Sequence, residues 1–241
     1  EKYDCKIAIF DNADFGSRYP HSNKFYAILA LPEDQPFLFL DSDTVLVEPF
    51  TSNQFQLDRP ALKLGGETWP VQNSKTRSVG EVWRLLYAFF GLDAEPYRDV
   101  NLTDAPHQCY PYYNAGILYY SRAREFGQAL LSMARRVWFE RPDALEDQPL
   151  KPWLDQIVLP IALAQLRIPR SEVPDPIHKA IIHYHFPFYL QVRYARAERL
   201  FADLSKDNTL SSVLKNDTGF KYYMSEEGQN IVRAVYEKLW S

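Results

Sequence analysis

Apolar and polar positions along the chain change period several times, and each change marks an element. Residues 6–10 (KIAIF) are a short β-branched apolar run ended by Asp11-Asn12, which predicts a strand and a turn. Residues 23–31 predict a short helix stopped by Pro32. The run 36–40 (PFLFL) is apolar on both alternating faces. That pattern predicts a strand covered on both sides, as in a largely parallel sheet flanked by helices. It breaks off in Asp41-Ser42-Asp43-Thr44, after which 44–47 resume an extended apolar pattern.

Residues 51–77, with Gly65-Gly66 and several prolines, read as loop with room for one strand. A helical period runs over 79–90 and is closed by Gly91. Residues 93–110 form a Pro- and Asp-containing connection. Residues 112–120 surround Asn114-Ala115-Gly116, for which a tight turn is the plainer reading, and then predict a strand at 117–120. Phe126, Ala129, Leu130, Met133 and Val137 make one stripe of a helix over 123–140. A further helix is predicted at 155–165, a strand at 180–186 and an amphipathic helix at about 225–240. Strands alternating with helices predict an α/β protein, and the length fits a single domain over 1–241.

Composition narrows the function. A 46% hydrophobic content supplies a sizeable core. Aromatic residues reach 15%, a surplus that suits clefts stacking sugars or bases and suits an aromatic core even better. A net charge of -4 without a long basic run argues against nucleic acid as partner. The two cysteines, Cys5 and Cys109, make neither a disulfide framework nor a zinc-ligand spacing, and both read as ordinary thiols. No apolar stretch approaches the ~20 residues that span a bilayer, so no membrane span is expected. A cytoplasmic location needs fewest assumptions, with peripheral membrane contact left open.

The main chemical signal sits at the carboxyl end of the 36–40 run, the strand end at which open α/β sheets bind ligands. Asp41 and Asp43, two residues apart, can address one point and hold a hard cation, Mn²⁺ or Mg²⁺. A diphosphate leaving group needs such charge compensation. The plainer alternative is a turn or helix N-cap with solvated carboxylates.

The segment FLFLDSDTVLV (37–47) resembles the Asp-X-Asp signature of GT-A fold glycosyltransferases, in particular family 8 with glycogenin and the bacterial galactosyltransferases. The resemblance implies a GT-A fold, a mixed and mostly parallel central sheet flanked by helices. It implies a nucleotide-sugar donor, favouring UDP, and a carbohydrate, lipid-linked or protein acceptor. It further implies a sugar-positioning role for Lys24, and a donor-facing role for Asn114 with Ala115 and Gly116 behind it. Asp155 and Gln156 resemble the family's Asp-Gln pair near the reacting sugar, Ser42 joins the donor contacts, and the anomeric configuration is retained. His183-Tyr184-His185-Phe186 resembles the segment that supplies a third metal ligand. Two histidines spaced by two share one strand face; His185, followed by Phe, matches the pattern better, with His183 as substitute. The chain departs from the family where a Gly and a Lys normally cradle the diphosphate. Phe188 and Gln191 stand there, and Arg193 is the nearest replacement for the Lys. About 40 residues precede Asp41, so the opening nucleotide-binding unit is expected to be short or absent.

Two other classes share these residues. A haloacid-dehalogenase-like phosphatase would use Asp41 as nucleophile and Asp43 as general acid, but needs a later acidic pair that the sequence does not supply. A non-catalytic nucleotide- or carbohydrate-binding domain would keep the fold without the chemistry.

Overall fold

A computed structural model describes residues 7–33, 35–56, 59–65, 69–71, 77–98, 110–169, 171–173 and 175–183. The chain divides into two compact units. The first comprises Glu1–Phe39 and Phe55–Val173, the second Leu40–Gln54 and Pro174–Ser241.

Helix α1 (Asn23–Leu29) opens the first unit. Strand β1 (Phe37–Leu40) follows and crosses the boundary at its last residue. The first unit then continues with β3 (Ala61–Leu64), α2 (Val79–Phe89), β4 (Tyr113–Tyr120), α3 (Ala123–Glu140), α4 (Leu154–Gln165) and β5 (Ser171–Glu172). The second unit carries β2 (Thr44–Leu46), α5 (Asp175–Ala180) and β6 (Ile181–His183).

Local chemistry accounts for the helix limits. Ser78 caps α2 by accepting a hydrogen bond from the Glu81 N–H, and Gly91 ends it at φ 71°, a backbone conformation glycine adopts without penalty. α3 shows the predicted stripe, burying Phe126, Leu130, Met133 and Val137. α1 approaches α3 at Gly127, where a Cβ would stand 3.0 Å from the Leu29 side chain. α4 is buried on nearly every side, as an all-round apolar helix must be.

The first unit's sheet has the order β1-β4-β3-β5, with β3 antiparallel to β4 and parallel to β5. An α/β protein is therefore present; among the described strands, β3–β4 and β2–β6 pair antiparallel and β3–β5 parallel. Two-faced apolar runs mark burial but say nothing of direction, which the connections decide. All eight residues of β4 are buried, so this strand is the centre of the sheet. β1 differs from expectation: only Phe37 is buried and 38–40 are half-buried, because the strand lies at the sheet's edge. Residues 7–10 are not a strand; Ile7 and Ile9 are 86% and 95% exposed, since no described strand pairs with them. Aromatic residues mostly build the core, as in the perpendicular Trp69–Trp83 pair at 5.0 Å between ring centroids. The predicted 225–240 helix, Cys5 and Cys109 lie outside the described residues.

Candidate active site

In the second unit, the chain turns directly after β1. The Thr44 N–H and the Thr44 hydroxyl both donate to the Asp41 carbonyl oxygen, at 3.1 and 2.7 Å. This closed turn sets Asp41 and Asp43 at one place and launches β2. β2 pairs antiparallel with β6 in the register Thr44↔His183, Val45↔Ile182, Leu46↔Ile181. The Val47 N–H donating to the Ala180 carbonyl at 2.8 Å extends the ladder. His183 is thereby delivered beside the carboxylates. Its Nε2 lies 3.1 Å from Asp43 Oδ1 and 3.7 Å from Asp41 Oδ2. One ligand atom from each of the three falls within 4.8 Å of the others.

Two carboxylate oxygens and one imidazole nitrogen suit a divalent cation of the Mn²⁺ kind, and the imidazole makes the set less typical of Mg²⁺. His183 is buried whereas both carboxylates are part-exposed, so the cluster has one rigid side and one side open to a ligand. His183, the substitute ligand, stands beside the carboxylates, whereas His185 lies outside the described residues. Phe188, Gln191 and Arg193 lie outside them as well. Ser42 is exposed at the turn.

A second polar constellation belongs to the first unit. Lys24 on α1 forms an ion pair of 2.7 Å with Asp155 Oδ2, and Asp155 is only 3% exposed. The Tyr19 hydroxyl donates to Asp155 Oδ1 at 2.9 Å and accepts from the Asp155 N–H at 3.0 Å. Burial, then the Asp155 charge, push the Tyr19 phenol far above its ordinary range, so it remains a donor. Asp155 lies in the first turn of α4, where the helix dipole favours a carboxylate. Gln156 follows it and is half-buried. The structure thus joins Lys24 and Asp155, which were singled out separately, and adds Tyr19, for which the sequence carried no signal.

Asn114, Ala115 and Gly116 are not a turn before a strand but part of β4. The β3–β4 register jumps here from Leu62↔Leu118 to Lys63↔Asn114. Within the skipped stretch the Asn114 side-chain oxygen accepts from the Gly116 N–H at 2.9 Å. The turn-forming residues therefore mark a β-bulge, with Asn114 re-aimed by it.

The family described as Rhodobacterales glycosyltransferase domain matches residues 1–167, a span containing Lys24, Asp41, Asp43, Asn114, Asp155 and Gln156. No curated protein and no solved structure matches the chain.

Proposed function

Because the chain belongs to the Rhodobacterales glycosyltransferase family and is a glycosyltransferase, we propose that it moves a sugar from a nucleotide-diphosphate sugar, with UDP favoured, in a reaction dependent on a divalent cation. The observation that carries the cation is the convergence of Asp41, Asp43 and His183 within 4.8 Å. When bound there, Mn²⁺ or Mg²⁺ supplies Lewis-acid compensation for the charge that a departing nucleoside diphosphate gains.

The remaining roles fall to the chain's own groups. Asp41 and Asp43 bind on the open side, and His183 anchors the arrangement from the β2–β6 ladder. Asp155 holds Lys24 in one position, so that its ammonium presents fixed donors to sugar hydroxyls. Asn114 and Gln156 complete the donor-facing set by family resemblance, and retention of anomeric configuration rests on the same resemblance. Asp41 is in this reading a ligand, not the nucleophile of a phosphatase; the family membership favours sugar transfer.

Calorimetric titration of UDP with and without Mn²⁺ tests the proposal. Binding should require the cation and vanish in Asp43→Ala. Metal-independent binding, unchanged in that variant, would overturn it. Slow hydrolysis of UDP-sugars without acceptor separates an enzyme from a pure binding domain, which shows none.

A further inference from the structure

Tyr19 is wholly buried in the first unit, so it joins the Lys24–Asp155 pair without a surface of its own for a ligand. Aromatic neighbours fix its ring: Phe15 edge-on at 6.1 Å between centroids, Trp138 tilted at 5.5 Å and His21 at 5.6 Å. Such packing holds the phenol in one orientation. Its two polar ends reach different elements. The Tyr19 carbonyl accepts from the hydroxyl of Ser22, the residue directly before α1 and two positions ahead of Lys24. The Tyr19 hydroxyl lies 2.9 Å from Asp155 Oδ1 and 3.0 Å from the Pro152 carbonyl oxygen, and it accepts from the Asp155 N–H. One residue thus ties the entry of α1 to the entry of α4.

These contacts decide how the carboxylate is turned. The Cβ–Cγ torsion of an aspartate is soft, so a carboxylate held by one lysine alone can offer either oxygen. Here Oδ1 is taken by Tyr19, and Oδ2 is the oxygen that meets the Lys24 ammonium, at 2.7 Å. A lysine side chain carries much rotamer freedom, which a fixed counter-ion removes in advance of any ligand. The Lys24 side chain keeps 16% exposure, so it retains a face toward solvent that Tyr19 lacks. Phenylalanine would fill the same core position equally well. What the hydroxyl adds is the orientation of the pair.

We infer that Tyr19 is a positioning residue for sugar transfer, turning Asp155 so that Lys24 presents its ammonium in one direction. The inference rests on the sugar-transfer reading, in which Lys24 meets the donor's sugar. Tyr19 acts only through the pair and touches no substrate.

Calorimetry in the presence of Mn²⁺ tests it through the affinity that a sugar adds to UDP, with UDP-glucose, UDP-galactose and UDP-N-acetylglucosamine compared against UDP. At least one of the three should bind the parent more tightly than UDP does. Tyr19→Phe should bind UDP like the parent, while that sugar increment falls about tenfold, the worth of one charge-assisted hydrogen bond. Ile168→Val, a buried change of comparable cost in stability, should leave the increment whole. In the Lys24→Met/Asp155→Leu background, Tyr19→Phe should alter the increment no further, because effects passed through a shared partner are not additive. An unchanged increment in Tyr19→Phe, an equal loss in Ile168→Val or a further loss in the double background would each overturn the inference. So would a parent without any sugar increment, or a Tyr19→Phe chain that does not fold. All of these leave the donor reading standing. Absence of Mn²⁺-dependent UDP binding by the parent would instead overturn that reading, and this inference with it.

Discussion

Asp41/Asp43/His183 and Tyr19/Lys24/Asp155 are both built around carboxylates, yet they are arranged for opposite purposes. In the first, two part-exposed acids and a buried imidazole bring ligand atoms to one point. In the second, a buried carboxylate is matched by one ammonium and one phenol, and both of its oxygens are engaged. Converging ligand atoms on an open side suit a cation from outside, while a buried, matched set is stabilised by its own members. The first should govern binding and the second should govern folding and geometry.

The largest expected effect breaks the comparison at its metal-binding side. Asp43→Ala should lower Mn²⁺-dependent sugar transfer by on the order of 10²–10³, as removal of one well-placed electrostatic contact does elsewhere. The same variant should unfold in urea close to the parent without metal, because the side chain it removes is part-exposed. A large stability loss there would erase the distinction.

Asp155→Ala should do the reverse. Leaving Lys24 without its buried counter-ion and the Tyr19 hydroxyl without its acceptor should cost about 3 kcal/mol in urea unfolding. Mn²⁺ affinity should be unaltered. If the double variant Lys24→Met/Asp155→Leu recovers stability yet remains inactive, the pair's positioning role is separated from its structural one.

Tyr19→Phe sharpens the second set further, with an expected loss of about 1 kcal/mol at neutral pH. Because the folded pKa of Tyr19 lies above its ordinary value, its contribution is complete below about pH 10 and declines as pH rises beyond it. The variant should accordingly show a shallower alkaline fall in melting temperature.

The smallest effect concerns a surface cluster that resembles the second set without its burial. Asp14 accepts from Tyr26 and pairs with Arg135 at 2.5 Å. Burial raises its pKa, but the Arg135 and Tyr26 hydrogen bonds outweigh that and lower it overall. Its contribution is therefore present above the ordinary carboxylate pKa and lost as pH falls through the depressed folded value. Asp14→Asn should flatten only the acid end of the stability profile. Solvent screening at the part-exposed Arg135 keeps the change small.

Much of the fold was legible because period and punctuation are local. The 3.6-residue stripe set α3 to within the predicted limits, and Gly91 closed α2 where a left-handed residue was required. The Asp41–Asp43 spacing singled out a candidate metal point, and the structure brings His183 to within 4.8 Å of both. Residues 7–10 failed for the complementary reason: a β-branched run becomes a strand only when another edge accepts it. Asn114-Ala115-Gly116 carried a true signal of irregular backbone, but a bulge and a turn use the same residues.

By itself, then, the amino-acid order determined where helices run, which strand end gathers acids, and which residues carry ligand atoms suited to a metal. Those properties depend on side chains a few positions apart. Tertiary structure alone decided that His183 meets Asp43, that Asp155 claims both Lys24 and Tyr19, and that β3 lies antiparallel to β4. These partners are 131 or more positions apart for the Asp155 pairs, and no local period encodes such distance. Packing the apolar surface selects one arrangement among many, and the polar contacts follow from it.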